Sequence, residues 1–83
     1  MFDRAKYIML DQWGYASDAL IIFPASMSHV NTASNFGGKD NVLSAGFITI
    51  DIDGKPKCYG ESRSLGVKSR PEDTTIAQFL LKE

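Results

Sequence analysis

A stretch of alternating residues followed by a turn signal restricts the fold of this chain more than any other feature. Isoleucines occupy every second position from 48 to 52, and the pair Asp53-Gly54 follows directly. Such alternation is typical of a β-strand, and an Asp-Gly pair favours the type I′ turn of a two-residue β-hairpin. Counting outward from that turn, the sequence predicts an antiparallel hairpin in which Ile48 faces Tyr59.

The rest of the chain predicts two further strands and two helices. The strands span 5–10 and 19–23, the first helix spans 26–36, and the second helix starts at 69–72. That second start is a capping box, in which Ser69 and Glu72 would bond each other's backbone N–H groups. The apolar run 19–23 is typical of a strand covered on both faces. The predicted order β-β-α-β-β-α indicates an α+β fold with a mainly antiparallel sheet and both helices on one face.

Length and composition indicate a single small domain over 1–83. The chain has 83 residues, of which 43% are hydrophobic and 23% charged, a balance typical of a chain that buries a core. Its net charge of −1 lacks the broad positive field on which non-specific nucleic-acid and anionic-membrane binding depend. Cys58 is the single cysteine, so no internal disulfide can form, and the charged first six residues are unlike a signal peptide. We therefore expect a soluble, cytoplasmic protein without a membrane span.

One segment, residues 54–70, carries most of the positive charge. It holds five lysines and arginines against one glutamate, a net charge of +4. Its cations approach the start of the second helix, where unpaired backbone N–H groups also favour an anion, and serine hydroxyls add neutral donors. The predicted ligand-binding residues of this segment are Arg63, Lys68, Arg70, Ser62, Ser64, Ser69 and Glu61. They favour a phosphate or carboxylate site. The alternative is that the cations lie on a solvated hairpin and pair with neighbouring carboxylates.

Residues 19–38 contain no charged side chain, although they are expected to include a helix with an outward face. A solvated helix normally carries lysine and glutamate there, so this face favours contact with another subunit, a ligand or a partner protein. His29 and Asn35 would supply neutral hydrogen bonds to a ligand. The predicted partner interface adds two loop aromatics and consists of Trp13, Tyr15, Met27, Val30 and Phe36. Two alternatives stay open: the helix lacks charge by chance, and the loop aromatics cap the core.

No recognisable catalytic, metal-binding or cofactor motif accompanies these features. His29 and Cys58 are each the sole residue of their type, whereas a zinc site needs three or four ligands. A Cys-His nucleophile pair is open on residue types alone, but a cysteine inside a predicted strand is more simply a packing residue. The glycines match neither a dinucleotide-binding nor a P-loop motif. We therefore expect a protein that is not an enzyme and needs no metal or cofactor.

Four short motifs in the C-terminal half resemble a small family of phage-encoded proteins. They are Ser44-Ala45-Gly46-Phe47, Cys58-Tyr59-Gly60-Glu61-Ser62, Ser64-Leu65-Gly66 and Ser69-Arg70-Pro71-Glu72-Asp73. The resemblance implies no catalytic activity and transfers no active-site residue. It implies a context, the cytoplasm of an infected host cell, in which small phage proteins without enzymatic motifs often antagonise host defence.

Together these features favour a non-enzymatic protein that binds and sequesters a phosphate-bearing small molecule, such as a nucleotide immune signal. Because a core of this size leaves little room for an internal cavity, we expect the pocket between copies in a homo-oligomer. The alternative is a protein–protein inhibitor of a host defence complex, similar to an anti-CRISPR protein, that uses the uncharged helix with Trp13 and Tyr15. Nucleic-acid binding is disfavoured by the net charge.

Overall fold

The computed structural model describes residues 4–10, 19–35 and 38–81, which form two β-sheets and two α-helices. The elements are β1 (Ala5–Leu10), β2 (Ala19–Pro24), α1 (His29–Ser34), a 3₁₀ turn (Lys39–Asn41), β3 (Val42–Ile50), β4 (Pro56–Tyr59), β5 (Glu61–Ser62), β6 (Val67–Lys68) and α2 (Pro71–Leu81). The first four strands make an antiparallel sheet in the order β2-β1-β3-β4, and β5 and β6 form a separate small hairpin. The predicted α+β fold with a mainly antiparallel sheet is confirmed. The β5–β6 hairpin is an addition to the predicted order.

The central strand β1 is buried on both faces, and each face packs against a different helix. Ile8 belongs to one core cluster with Ala33 of α1, whereas Tyr7 belongs to another with Ala77 of α2. Adjacent residues of a strand point to opposite faces, so the two clusters lie on opposite sides of the sheet. The prediction that both helices share one face is wrong. Because β1 presents buried side chains to both sides, each side needs its own cover.

The strand β2 lies at the edge of the sheet and is only partly covered on its two faces. It pairs with β1 alone, and Phe23 is its one buried residue, while Ile22 is exposed. Ile21 packs against the cluster on the α1 side and Leu20 against the cluster on the α2 side, and both are half-buried. The apolar run therefore marks an edge strand that contributes to both cores, and the strand that is fully covered is β1.

The hairpin β3–β4 is present, but its register differs by one residue from the predicted one. Ile48 lies opposite Cys58, and Phe47 lies opposite Tyr59. A shift of one residue moves every side chain of one strand to the other face. Cys58 therefore shares the α2 side with Ile48, and Tyr59 shares the α1 side with Phe47.

The turn between β3 and β4 explains this shift. The N–H of Asp51 donates to the carbonyl of Lys55 at 2.8 Å, so three residues rather than two form the loop. A type I′ turn needs a positive φ at both central residues, but among the described residues only glycines have one, and here it is Gly54, at +81°. The N–H of Gly54 also donates to the carbonyl of Asp51 at 2.8 Å, so the loop is a β-turn that ends in a glycine of positive φ, and it leaves Ile52 94% exposed at its tip.

The helix α1 is shorter than predicted, because the residues before it form a turn instead. The N–H of Met27 donates to the carbonyl of Pro24 at 3.0 Å, and this bond closes the turn. The hydroxyl of Ser28 then accepts the N–H of Asn31 at 3.0 Å and caps the helix.

Within residues 4–10, 19–35 and 38–81, neither α1 nor α2 has the length and apolar run that crossing a lipid bilayer requires.

Candidate functional site

The three predicted cations line one open groove beside the β5–β6 hairpin, which we call the cationic groove. Its volume is about 540 Å³. The residues that line it are Leu43, Glu61, Ser62, Arg63, Gly66, Val67, Lys68 and Arg70. The side chains of Arg63 and Lys68 are exposed, whereas Arg70 is 26% exposed. The structure therefore brings together five of the predicted ligand-binding residues.

The β5–β6 hairpin positions Arg63 and Lys68 through backbone geometry. Its tight loop spans 63–66 and ends at Gly66, whose φ is +71° and whose N–H donates to the carbonyl of Ser62 at 2.9 Å. The buried Ser62 hydroxyl accepts the N–H of Leu65 at 3.3 Å, and Leu65 is itself part of the core. Ser62 therefore holds the loop in place, and the loop presents Arg63 to the groove.

The start of α2 already holds an anion that the protein itself supplies. One carboxylate oxygen of Asp73 accepts the backbone N–H of Arg70 at 3.0 Å, and the other accepts its guanidinium Nε–H at 2.9 Å. Pro71, the first helical residue, has no N–H to offer. Asp73 therefore takes up the Arg70 N–H at the helix start, where the sequence predicted that an external anion would bind.

The predicted capping box between Ser69 and Glu72 is wrong, because both groups that make the bonds at the helix start differ from the predicted ones. Asp73, one position after Glu72, makes the reach-back bond to the backbone. The Ser69 hydroxyl donates to the carbonyl of Gly60 at 3.0 Å, and the Ser69 N–H donates to the same oxygen at 2.9 Å. Ser69 therefore ties the start of α2 to the end of β4, and it lines neither of the grooves described in this section.

A buried hydrogen bond joins Asp73 to the central strand. The hydroxyl of Tyr7 donates to the carboxylate of Asp73, and both side chains are fully buried. Burial by itself would raise the pKa of Asp73, but the Arg70 backbone N–H, the Ser44 and Tyr7 hydroxyls and the Arg70 guanidinium together lower it. The Ser44 hydroxyl is itself buried and has no hydrogen-bond partner among the described residues. Burial and the adjacent carboxylate raise the pKa of Tyr7.

The lowered pKa of Asp73 predicts a loss of stability in acid. A carboxyl group whose pKa is depressed in the folded state stabilises the fold above the pKa of the unfolded chain, about 4, and this contribution disappears as the pH falls through the folded value. The free energy of unfolding, measured in urea from pH 6 down to pH 2, should therefore fall more steeply for the wild type than for Asp73→Asn. Equal slopes in the two proteins would contradict this assignment.

A second open groove, which we call the aromatic groove, adjoins the first. Its volume is about 470 Å³. It is lined by Lys6, His29, Phe47, Gly60, Glu61, Ser62, Arg63 and Ser64. Glu61, Ser62 and Arg63 line both grooves. The predicted residues His29 and Ser64 therefore line the aromatic groove and not the cationic groove.

His29 is a buried, fixed wall of the aromatic groove. Its Nε2 lies 2.9 Å from the carbonyl oxygen of Gly46, and because that oxygen can only accept, Nε2 carries the hydrogen. The ring packs edge-on against Phe23 at 5.4 Å and Phe47 at 6.1 Å between centroids. Burial lowers the pKa of His29, and the charge of Lys6 adds to this, while the Gly46 carbonyl raises it. His29 is therefore neutral at pH 7.

Cys58 lies on the opposite side of the sheet from His29. It packs with Tyr7 and Ala77, and burial raises its pKa to about 12. The two side chains therefore cannot act as a Cys-His pair.

Across the described parts of the chain, no three His, Cys, Asp or Glu side chains are grouped so that they could hold a metal ion.

The predicted partner face is described only in part. Met27 and Val30 are each 42% exposed beside α1. Asn35, at the end of α1, is exposed and lines neither groove. The predicted interface residues Trp13, Tyr15 and Phe36 lie outside the described residues.

Sequence reasoning missed the residues that β1 and β3 contribute. Lys6 donates from Nζ to the carbonyl of Met27 at 2.8 Å, and the guanidinium of Arg4 lies over the Phe47 ring, 4.5 Å from its centroid. Lys6 and Phe47 are paired across neighbouring strands. Only the strand order and register reveal this pairing, and neither can be read from the local sequence.

No protein-family model, curated protein or solved structure matches this chain. The two grooves are therefore the basis for a functional argument.

Proposed function

We propose that this chain is a non-catalytic binding protein that holds a phosphate-bearing small molecule, a nucleotide, in the cationic groove. One observation carries the proposal: Arg63 and Lys68 line the same groove and, within the described parts of the chain, neither side chain makes an ion pair or a hydrogen bond. Cations that are held close together by a hairpin and not neutralised by the protein are suited to an anion from solution.

The charge balance of the groove supports an anionic ligand. Arg70 is neutralised by Asp73, so the excess positive charge comes from Arg63 and Lys68 against Glu61. A guanidinium can bind a phosphate through two parallel hydrogen bonds, and an ammonium adds a point charge. Arg63 and Lys68 lie on one short hairpin in a chain of net charge −1, which favours a small anion over a nucleic-acid strand.

We also propose that a second copy of the chain completes the site. The groove is open to solvent, whereas sites for small molecules usually surround most of the ligand. A cyclic homo-oligomer would place a second surface over each groove. With the resemblance to phage proteins, this arrangement favours sequestration of a nucleotide signal of host defence. Light scattering should therefore give a mass above that of the monomer.

Removal of either cation should weaken nucleotide binding at least tenfold while the fold is kept. Arg63→Ala and Lys68→Ala each delete an exposed side chain of the hairpin, so we expect little change in stability but a loss of about 1.4 kcal/mol or more in binding free energy. Isothermal titration calorimetry with nucleoside monophosphates, nucleoside diphosphates and pyrophosphate measures this loss.

Lys57→Ala is the matched control, because Lys57 is an exposed cation on β4 that lies outside both grooves. It should leave the affinities unchanged. Equal affinities in wild type, Arg63→Ala and Lys57→Ala would reject the cationic groove as the binding site.

A second function, inhibition of a host protein by direct contact, is favoured by the exposed apolar side chains beside α1. Met27 and Val30 are exposed in a stretch without charged residues, as is common at protein interfaces. A nucleotide at 100 times its Kd would stabilise the protein by about 2.7 kcal/mol. A thermal-shift panel in which no nucleotide raises the Tm would favour this second function.

A further inference from the structure

We infer that the ligand is a ribonucleotide that spans both grooves, with its phosphate beside Arg63 and Lys68, its base beside Phe47 and its ribose hydroxyls on Glu61. This inference rests on the proposed function and names the ligand class for the same site. It is carried by the way in which the two grooves meet and by the different chemistry of their walls.

The two grooves meet at the first residues of the β5–β6 hairpin. Glu61, Ser62 and Arg63 line both, and of these Ser62 is buried while its two neighbours are exposed. At the junction a ligand therefore meets one carboxylate and one guanidinium. A molecule that fills both grooves has to place an anionic group near Arg63 and hydrogen-bond donors near Glu61.

The aromatic groove offers a fixed ring to a planar group. Phe47 is half-buried, its ring is held by His29 at 6.1 Å and Tyr59 at 5.9 Å between centroids, and the Arg4 guanidinium lies over the ring at 4.5 Å from its centroid. Gly60 also lies against this ring, since a Cβ at that position would approach Phe47 Cδ2 to 2.9 Å. Fixed aromatic side chains bind nucleobases by packing and stacking, with little dependence on base identity. The aromatic groove therefore suits a base, whereas the cationic groove suits a phosphate.

Glu61 is the residue that a site for phosphate alone does not explain. Its carboxylate would repel a phosphate, and among the described residues it makes no ion pair, although Lys68 is its partner across the hairpin. An ionised carboxylate only accepts hydrogen bonds, so it selects a ligand with donors at this point. In a nucleotide the groups between phosphate and base are the ribose hydroxyls, and a carboxylate is the common partner of a ribose 2′-hydroxyl.

Glu61→Gln tests whether the Glu61 carboxylate recognises the ribose or only repels phosphate. The probes are adenosine 5′-monophosphate, its 2′,3′-dideoxy analogue, ribose 5-phosphate and pyrophosphate, each measured by calorimetry. We expect the wild type to bind adenosine monophosphate about tenfold more tightly than the dideoxy analogue, the effect of one charge-assisted hydrogen bond of about 1.4 kcal/mol. Glu61→Gln should lose this preference and bind pyrophosphate at least as tightly as the wild type.

Phe47→Leu tests the base subsite, with Tyr59→Leu as the control that removes a ring in contact with Phe47 but outside the aromatic groove. We expect Phe47→Leu to reduce the ratio of adenosine monophosphate affinity to ribose 5-phosphate affinity at least fivefold, and Tyr59→Leu to keep it. A ratio of affinities within one variant is insensitive to a general loss of stability.

The failures of the two proposals are distinguishable. If Arg63→Ala weakens every phosphate compound, but the wild type binds adenosine monophosphate no more tightly than its dideoxy analogue or ribose 5-phosphate, the inference on the ribonucleotide is overturned and the proposed function stands. If no phosphate compound binds, or Arg63→Ala changes nothing, both fail.

Discussion

Replacement of Asp73 by alanine should destabilise the protein by about 3 kcal/mol and lower its Tm by roughly 15 °C. The carboxylate is fully buried and accepts hydrogen bonds from the Tyr7 hydroxyl, the Arg70 backbone and the Arg70 guanidinium. Alanine would remove all three bonds and leave a phenol hydroxyl buried without this partner, and such a group costs its full desolvation. Thermal and urea unfolding measure the loss.

Glu72→Ala is the matched control for this prediction. Glu72 neighbours Asp73 in the first turn of α2 and lies 3.8 Å from the same guanidinium, but its side chain is 58% exposed. Exposed ion pairs contribute little to stability, so we expect the free energy of unfolding to change by no more than about 0.5 kcal/mol. Equal losses for the two variants would show that the buried network does not hold α2 to the sheet.

Gly46→Ala should lower the free energy of unfolding by a similar amount, about 3 kcal/mol, for a steric reason. A Cβ on Gly46 would overlap the backbone carbonyl of Tyr59 and lie 3.3 Å from the Gly60 carbonyl. Both obstacles are backbone, so β3 and the end of β4 would have to separate. The Gly46 carbonyl also accepts the His29 hydrogen bond, which such a movement would weaken. Urea unfolding should show the loss.

The control for this variant is Gly54→Ala, in the turn between β3 and β4. Gly54 has open space around its Cα, so an added methyl group meets nothing, and the only cost is that of a positive φ in a residue other than glycine, about 1–2 kcal/mol. If Gly46→Ala proved no more destabilising than Gly54→Ala, the close approach between β3 and β4 would not be the tight contact described above.

The fold class was predictable because its signals are local, whereas the register was not. Alternation along β3 and an Asp-Gly pair identify a hairpin, but the pair fits two turn geometries whose registers differ by one residue. Packing of Ile48 with Cys58 on the α2 side belongs to one of them only. The register is therefore determined by packing against α2, which comes later in the chain. The local sequence around Asp53-Gly54 contains no information on that packing.

The same reasoning applies to the candidate site. Arg63 and Lys68 could be found because both lie in one short hairpin. At the start of α2 two pairings one residue apart are available: Ser69 with Glu72, which matches a capping box, and Arg70 with Asp73, which does not. Tyr7, far away in β1, favours the second by bonding to Asp73. Phe47 and Lys6 reach the aromatic groove only through the pairing of β1 with β3.

The place of β1 between its two neighbours determines how this chain can fold. Its hairpin with β2 is local, but a hairpin alone is marginal in water, and each core cluster also needs β3. The β3 partner begins only at Val42, so the chain has to close a long loop before either cluster can form. Folding is therefore governed by a non-local step that organises both cores together.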